Sequence, residues 1–294
     1  MTDRDLEVFA ALDQSPLTAA QLLTLSRTFE RPFTDERRVR ERLHLLTAAG
    51  RVHRAPYATA GQGAPNYYRL SRLGHQLLHG SDAEASRRHF GAVGLSHQHH
   101  TRSLADVIVH TMVTAHASGI RVAGFYPENA LHLQIGDESL YPDCAFQLLP
   151  SDGRQFSFFV ELDNSSERVR SAKSFDSWER KLKLYEALQD QSPTRFRVLV
   201  VTTRQSERLR HILDAAGSLL RNPQRSLIYG IHLQDFLAQP QALTAPCFTD
   251  HRRQPAALVP IPCRRPMPDA AAKHWLRSRS AATMSPAVFS TIPG

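Results

Sequence analysis

Apolar residues near the start of the chain recur at the spacing of short amphipathic helices. Thr18 and Gln21 fit a capping box that opens the second of these helices. Gly50 is the expected end of the third, because glycine adopts the helix-terminating backbone conformation without steric cost. The pattern therefore predicts three consecutive helices. They are Asp5–Leu12, Thr18–Leu25 and the segment from Thr34 or Asp35 to Ala49.

Two short segments after Gly50 have the composition of paired strands. Arg51–Arg54 and Asn66–Leu70 flank the loop Ala58–Pro65, which is rich in Gly, Ala and Pro. Such a loop between two strand-forming segments favours a hairpin. Three helices followed by a two-stranded wing predict a winged helix-turn-helix domain over residues 1–80.

The next part of the chain alternates helices with short strands. Its helices carry apolar residues along one stripe, and its strands are short apolar runs. The order is helix, a run of strands, helix, strand, helix, strand, which predicts an α/β domain with helices packed on a sheet. The predicted helices are Ser103–Ala117, Ser171–Leu188 and Glu207–Leu220, and the predicted strands are Arg121–Phe125, Leu131–Ile135, Cys144–Leu149, Phe156–Leu162, Phe196–Thr202 and Ser226–Ile231.

Length and composition indicate how these regions are divided. A chain of 294 residues is expected to form two domains. Residues 81–96 are the predicted linker, and residues 97–238 are the predicted α/β domain. Residues 239–294 are rich in proline and end in a Ser- and Ala-rich stretch. Because this composition buries too little apolar area to offset chain ordering, an extended or disordered tail is predicted there.

The positive net charge of the chain lies at its two ends. Residues 1–80 contain 11 Lys and Arg against 8 Asp and Glu, and residues 239–294 contain 7 against 2. Cations that contact phosphates release bound counterions, so basic ends favour DNA binding. Residues 81–238, between the two ends, have no net charge, which is compatible with a catalytic domain whose carboxylates offset its surface cations.

The composition disfavours several other classes of protein. No apolar run approaches the roughly 20 residues of a membrane span, and Met1–Asp5 lacks the pattern of a secretory signal, so the protein is expected in the cytoplasm. Three widely spaced cysteines form neither a disulfide framework nor a paired zinc motif. His97–His100 lacks the second ligand pair of a zinc site. No phosphate-binding glycine motif follows a predicted strand, so no nucleotide cofactor is expected.

Acidic residues at predicted strand ends are the main candidates for catalysis. Asp143 directly precedes one strand, and Glu161 and Asp163 lie at the end of the next. Side chains repeat with a period of two along a strand, so Glu161 and Asp163 are expected on the same face. Mg²⁺ needs only one or two protein carboxylates, which makes Asp143 and Glu161 the predicted metal ligands. Lys181 or Lys183 would position a water or stabilise the oxyanion.

These residues also have a purely structural interpretation. An acid at a strand end often forms a turn or caps a helix. Lys181 and Tyr185, four residues apart, would also fit a solvated helix face. The order of the surrounding elements favours the functional interpretation.

The third predicted helix has an apolar side and a basic side. Val39, Leu43 and Leu46 follow helical spacing and are expected to face the core. The basic residues around them, and those near the wing, are expected to contact DNA phosphates and bases. A solubilising surface or a dimerisation face would have the same pattern. The predicted DNA-binding residues are Arg37, Arg38, Arg40, Arg42, His44, Arg51, Arg54 and Arg69, and His100 or Arg102 could also reach phosphate.

Together these motifs resemble two related groups of proteins. An aspartate in one strand, an acidic residue in the next and a flanking helix resemble the PD-(D/E)XK nuclease superfamily. A winged helix followed by Pro142-Asp143, by Val160–Asp163 and by Lys181-x-x-x-Tyr185 is similar to the replication-relaxation family of mobile-element proteins. This similarity covers the chain from about Leu6 to Tyr185.

The resemblance implies an α-β-β-β-α-β core and Mg²⁺ or Mn²⁺ as cofactor. It also implies a catalytic group made of Asp143, Glu161, Asp163, Lys181 and Lys183. Asp163 stands where the superfamily pattern has its lysine, so the resemblance implies that Lys181 or Lys183 takes that role.

Two functional classes remain open. In the first, the protein binds double-stranded DNA in plasmid or mobile-element replication or transfer and carries a metal-dependent endonuclease domain. Relaxase or replication proteins are its expected protein partners. In the second, the same fold is catalytically inactive, and the protein is a DNA-binding accessory factor or transcriptional regulator.

Overall fold

The computed structural model has a mixed α/β fold and two compact units. It describes residues 1–58, 64–83, 90–165, 167–169, 177–204, 206–222 and 225–260. The units are Met1–Val113 and Thr114–Gly294, and the division between them falls inside one helix, Gln98–Ala117. The sequence placed the boundaries differently, with domains at 1–80 and 97–238 and a linker at 81–96, and these boundaries stay a prediction.

The first unit contains the three helices and the hairpin that the sequence predicts. Its strands form one antiparallel sheet in the order β1-β3-β2, in which Leu17 faces Tyr68 and Val52 faces Leu70. A further helix, α4, follows the hairpin and was not predicted. The elements are α1 (Asp3–Gln14), β1 (Leu17–Thr18), α2 (Ala19–Leu25), α3 (Glu36–Ala48), β2 (Val52–Pro56), β3 (Asn66–Leu70), α4 (Arg72–His79) and α5 (Gln98–Ala117).

Local signals in the sequence account for the ends of these helices. Thr18 and Gln21 form the predicted capping box of α2. Asp35 caps α3 by accepting a hydrogen bond from the Arg38 backbone N–H at 3.0 Å. Gly50 has a φ of +68°, the left-handed conformation expected just after a helix. The predicted apolar positions of α3 are buried, so its core-facing side is confirmed; they are Val39, Leu43 and Leu46.

The second unit is built on a sheet of seven strands. Their order is β12-β11-β10-β9-β8-β7-β4. Strands β4, β7 and β8 pair antiparallel, β8, β9 and β10 pair parallel, and β10, β11 and β12 pair antiparallel. The elements are β4 (Arg121–Tyr126), β5 (Leu133–Ile135), β6 (Glu138–Leu140), β7 (Cys144–Leu149), β8 (Phe156–Asp163), α6 (Trp178–Gln191), β9 (Phe196–Thr202), α7 (Ser206–Leu219), β10 (Ile228–His232), α8 (Leu233–Ala238), β11 (Phe248–Asp250) and β12 (Pro255–Ala256).

Helices α6 and α7 contribute to one core on a face of this sheet. Trp178, Leu182 and Tyr185 of α6 are fully buried there, in the same cluster as Phe159 of β8. Burying large aromatic side chains stabilises such a layer through area removed from water. The core therefore fixes α6 beside the end of β8, where the candidate catalytic residues lie.

Two predicted elements differ from the structure. The strand predicted at Leu131–Ile135 is shorter and pairs with β6 in a separate two-stranded sheet. The helix predicted from Ser171 begins instead at Trp178, because Ser177 is extended and caps it by accepting from the Arg180 N–H. Residues 170–176 lie outside the described residues.

The prediction of an extended or disordered tail from residue 239 is wrong for residues 239–260. Strand β11 pairs with β10, and β12 continues the sheet. Proline content suggested disorder, yet Leu243, Phe248, Leu258 and Val259 are buried and supply the apolar area needed for folding. Residues 261–294 lie outside the described residues.

Both outer strands of the seven-stranded sheet are irregular. The pairing of β4 shifts register between Ala123 and Tyr126, and Gly124 in this bulge has a φ of +52°. At the opposite edge, β12 has two residues and includes Pro255, which has no backbone N–H. None of the helices in the described part of the chain has both the length and the apolar character that a membrane crossing needs.

Candidate active site and nucleic-acid interface

Glu161 forms the centre of a buried polar cluster in the second unit. It lies near the end of β8 and is 1 % exposed. Lys181 donates a hydrogen bond from Nζ to Glu161 Oε2 at 2.8 Å, and the Tyr185 hydroxyl donates to Oε1 at 2.5 Å. Lys181 and Tyr185 are four residues apart and so lie on the same side of α6. The solvated-face interpretation of this pair is therefore wrong.

Asp143 lies beside Glu161 at the start of β7. Cys144 pairs with Val160 and Ala145 with Phe159, so Asp143 and Glu161 follow at the end of this antiparallel pair. Directly opposed residues in such a pair share a face. Asp143 Oδ2 accepts a hydrogen bond from the Leu162 backbone N–H at 2.6 Å, which holds the carboxylate against β8.

The ionisable groups of this cluster influence one another. Burial raises the pKa of Glu161, Lys181 lowers it and the neighbouring Asp143 raises it, which gives a pKa of about 7. Lys181 also contacts Glu167, whose Oε1 lies 2.8 Å from Nζ. Burial alone would lower the pKa of Lys181, but the carboxylates of Glu161 and Glu167 raise it above its ordinary value. A single ammonium thus balances two carboxylates.

Asp163 is buried and held by other partners. Its position two residues after Glu161 places it on the same face, as the strand period predicts. Arg208 donates two hydrogen bonds to its carboxylate, both at 2.9 Å, and Trp178 Nε1 donates a third at 2.9 Å. Arg208 also donates to the Glu167 backbone carbonyl. Asp163 therefore joins the end of β8 to α6 and α7.

Lys183 lies outside the cluster. It is two residues from Lys181 and thus about 200° away around the helix. Its side chain is 60 % exposed and pairs with Glu179 at 3.2 Å. Of the two lysines that the sequence proposed, Lys181 is the one that contacts Glu161.

The donor set suits a hard divalent cation. Asp143 and Glu161 are carboxylates at the same end of the neighbouring strands β7 and β8, and Mg²⁺ or Mn²⁺ prefers oxygen ligands of this kind. Glu167, which the sequence did not single out, is the second carboxylate partner of Lys181 and adds negative charge. Arg208 was also missed, because its pairing with a strand 45 residues away leaves no local pattern.

The basic side of α3 is more balanced in charge than its arginine count suggests. Arg37 and Arg38 pair with Glu41, and Arg40 pairs with Glu36. All three arginines are exposed, with 59 to 71 % of their side chains accessible. Exposed pairs of this type are weak and can exchange for phosphate contacts.

Arg42 does not have the outward position that the sequence predicts. It donates from Nε to Asp5 Oδ1 of α1 at 2.6 Å, and its Nη2 contacts the second oxygen of the same carboxylate. Asp5 has no exposed surface. Arg42 therefore joins α3 to α1, because its two hydrogen bonds satisfy both oxygens of this buried carboxylate.

Asp5 is expected to make the stability of the protein depend on acid pH. Burial would raise the pKa of Asp5, but hydrogen bonds from Arg42 and Thr2 outweigh this effect and lower it below 3.8. The stabilisation that the ionised Asp5 carboxylate gives the folded chain is thus fully present above about pH 3.8. It is lost as the pH falls through the lower pKa that Asp5 has in the folded state. In chemical denaturation from pH 7 to pH 2, Asp5→Asn should reduce the free energy of unfolding by about 1.5–3 kcal/mol at pH 7. The variant should also lose less stability than the unaltered protein as the pH falls from 7 to 2. An equal loss in both proteins would contradict this role of Asp5.

A groove of about 940 Å³ lies between α3, the first turn of α2 and the hairpin. Three arginines from separate elements line it: Arg40 of α3, Arg54 of β2 and Arg102 of α5. His44, Asn66 and Tyr68 add hydrogen-bonding and aromatic groups. Positive and planar side chains along a groove suit a nucleic-acid backbone and its bases.

Arg102 is positioned by contacts within the first unit. Gln21 Nε2 donates to the Arg102 backbone carbonyl at 3.2 Å and to Asp106 Oδ1 at 2.7 Å. Gln21, which forms the capping box of α2 with Thr18, therefore also fixes the start of α5 next to the groove.

Four predicted DNA-binding residues lie outside the lining of this groove, in addition to Arg42. Arg69 is half-buried; burial lowers its pKa, and its Nε and Nη1 have no hydrogen-bond partner among the described residues. Of the predicted set, the structure brings Arg40, His44 and Arg54 together. The residues outside the lining are Arg37, Arg38, Arg51 and Arg69.

A comparison with protein families matches most of this chain. The model of a family described as replication-relaxation matches residues 12–198. The matched segment contains the groove residues of the first unit and the cluster around Glu161. No curated protein and no solved structure matches the chain.

Proposed function

The chain belongs to the replication-relaxation family, and from this premise we propose that it is a DNA-binding protein with a metal-dependent endonuclease site. The family description indicates a role in plasmid or mobile-element replication. Unit 1 would bind double-stranded DNA, and unit 2 would cleave it with Mg²⁺ or Mn²⁺. The contact between Glu161 and Lys181, next to Asp143, is the observation on which the cleavage proposal rests.

The order of elements in unit 1 supports a winged helix-turn-helix. Helix α3 would be the recognition helix, and β2 and β3 would form the wing. Arg40, Arg54 and Arg102 would contact phosphates, while His44 and Asn66, which also line the groove, would contact base edges. Each phosphate contact would release counterions and make binding depend on salt.

Replacing Arg40, Arg54 and Arg102 together with alanine is expected to weaken duplex binding at least tenfold and to reduce the salt slope by about 2–3. Fluorescence anisotropy with a labelled duplex at several salt concentrations would measure both. Arg37→Ala with Arg38→Ala is the matched control, since those side chains are exposed but lie outside the groove. If the control lowers the slope as much as the groove variant does, a different face of α3 contacts DNA.

The order of elements in unit 2 supports a PD-(D/E)XK-like core. Helix α5, whose last residues belong to unit 2, is followed by the antiparallel strands β4, β7 and β8, with the β5–β6 pair between β4 and β7 in the chain; α6 follows, and then β9, parallel to β8. Apart from the β5–β6 pair, this order agrees with the α-β-β-β-α-β core that the resemblance implies. Asp143 and Glu161 lie at the carboxyl end of β8, where sites in open α/β sheets commonly form.

The residues of this site have separate tasks in the proposed reaction. Asp143 and Glu161 would hold Mg²⁺ or Mn²⁺, which supplies charge neutralisation at the phosphate and a more acidic water. Lys181 would donate its N–H groups to that water or to a phosphate oxygen. Tyr185 orients Glu161 through its hydroxyl. Asp163 and Arg208 keep the end of β8 in place.

The alternative function is that of a DNA-binding accessory factor or regulator that does not cleave. Asp163 occupies the lysine position of the superfamily pattern and is fully engaged by Arg208 and Trp178. Lys181 already has two carboxylate partners. These contacts would stabilise an inactive site equally well.

Incubating purified protein with supercoiled, linear and branched DNA distinguishes the two functions. Cleavage with Mg²⁺ or Mn²⁺ that stops on adding a chelator is expected of the endonuclease. Binding without cleavage of any DNA form, with either metal, would favour the accessory factor. Relaxase and replication proteins are the partners to test in that case.

A further inference from the structure

A second group of metal-ligand side chains lies in unit 1, away from the proposed DNA groove. His75 and His79 are four residues apart on α4 and so lie on one side of that helix. Asp13, near the end of α1, faces them. The side chain of His75 is 9 % exposed, that of Asp13 is 12 % exposed and that of His79 is 31 % exposed. The group is therefore largely enclosed but can be reached from solvent beside His79.

The ligand atoms of the three residues converge. His79 Nε2 lies 2.9 Å from Asp13 Oδ2, and His75 Nε2 lies 4.0 Å from Asp13 Oδ1. One ligand atom from each residue lies within 4.8 Å of the other two. The two imidazole rings have centroids 4.5 Å apart with an interplanar angle of 47°, so their nitrogens approach without face-to-face stacking.

These distances fit the ligand spacing of a tetrahedral metal ion. Zn²⁺ binds imidazole nitrogen and carboxylate oxygen at about 2.0–2.2 Å, which places neighbouring ligands roughly 3.3 Å apart. The two separations, 2.9 and 4.0 Å, lie on either side of that value. We propose that Asp13, His75 and His79 form a binding site for Zn²⁺ or a similar divalent transition-metal ion. Water would complete the coordination on the side of His79.

The chemistry of this site differs from that of the site around Glu161. Imidazole nitrogen favours Zn²⁺, Cu²⁺ and Ni²⁺, whereas Mg²⁺ requires oxygen ligands. The sequence did not suggest the site, because Asp13 precedes His75 by about 60 residues and the histidine-rich segment of the chain is His97–His100. A bound ion would join α1 to α4 and stabilise unit 1 by binding the folded chain preferentially.

Titrating metal-free full-length protein with Zn²⁺ tests the proposal. Isothermal titration should show one bound Zn²⁺ per chain, and Co²⁺ should give the visible absorption of a four-coordinate site. Asp13→Asn and His79→Ala should each weaken Zn²⁺ binding at least about 10–100-fold. Both positions permit a folded variant, because Asp13→Asn preserves shape and His79 is partly exposed. Circular dichroism would confirm folding before the titrations.

The matched control combines His97→Ala with His99→Ala, which removes two exposed histidines from the other histidine-rich segment. This variant should bind one Zn²⁺ with unchanged affinity. If it loses binding while Asp13→Asn and His79→Ala retain it, the ion binds elsewhere and the proposal is overturned. Failure of the unaltered protein to bind Zn²⁺ would overturn it as well, and Asp13 and His79 would then form only a hydrogen-bonded pair. Neither result depends on DNA cleavage.

Discussion

Exchanging Asp143 for Asn, or Glu161 for Gln, is expected to lower metal-dependent DNA cleavage at least about 100-fold. Each change removes one negative charge from the proposed metal ligands and keeps the shape of the side chain. In Asp143→Asn the amide oxygen can still accept from the Leu162 N–H, and in Glu161→Gln the Lys181 side chain keeps Glu167 as a partner. The loss should therefore come from metal binding and chemistry and not from unfolding.

Initial rates of nicking of supercoiled plasmid would measure this effect, with duplex affinity determined in parallel. Duplex affinity should be unchanged, because the proposed DNA groove lies on other residues. Lys181→Gln should also reduce cleavage strongly, whereas Lys183→Gln should not, since Lys183 is exposed and pairs with Glu179. Cleavage that persists in both carboxylate variants would remove the site assignment. If both lysine variants lose the same amount of cleavage, the contact between Lys181 and Glu161 is not the cause of the loss.

Removing the Arg208 side chain is expected to destabilise the protein by about 3–5 kcal/mol. Asp163 is buried, and its three strongest contacts include both N–H groups that Arg208 donates. Arg208→Ala would leave a buried carboxylate with Trp178 as its main remaining donor. A charge left in that position costs far more than a lost surface contact.

Urea denaturation followed by circular dichroism would measure the change. Arg210→Ala is the matched control, because Arg210 lies two residues away on the same helix and forms an exposed pair with Glu207. The control should alter stability by no more than about 0.5 kcal/mol. Similar stability losses in the two variants would mean that the buried Arg208–Asp163 pair stabilises the protein no more than the exposed Arg210–Glu207 pair does.

Much of the fold follows from local patterns in the sequence. The capping box at Thr18 and Gln21, the end of α3 at Gly50 and the apolar spacing of Val39 and Leu43 each depend on residues within one or two helical turns. The two-residue period of β8 likewise placed Glu161 and Asp163 on one face. Such features could be predicted because the residues that determine each of them are close together in the chain.

The contacts that define the site depend on distant pairings. Arg42 was expected at the DNA surface, but its pairing with Asp5 depends on where the fold places α1 and not on the spacing within α3. Arg208 reaches Asp163 only because α7 packs on β9 and β10, and β9 is the neighbour of β8 in the sheet. The proline content of residues 239–260 predicted an extended or disordered tail, although Phe248 and Leu258 are buried and Phe248 contacts Phe236 of α8. Composition alone cannot detect an apolar surface supplied by another part of the chain.

The two irregular outer strands of the seven-stranded sheet bear on how copies of this protein could associate. A regular outer strand exposes a row of unpaired backbone groups and can recruit a strand from a second molecule. On one side, Pro255 removes a donor from β12. On the other, the bulge at Gly124 twists β4 away from a straight ladder. Copies held at high local concentration on DNA, as in the proposed function, would thus be hindered from joining their sheets into filaments through these two edges.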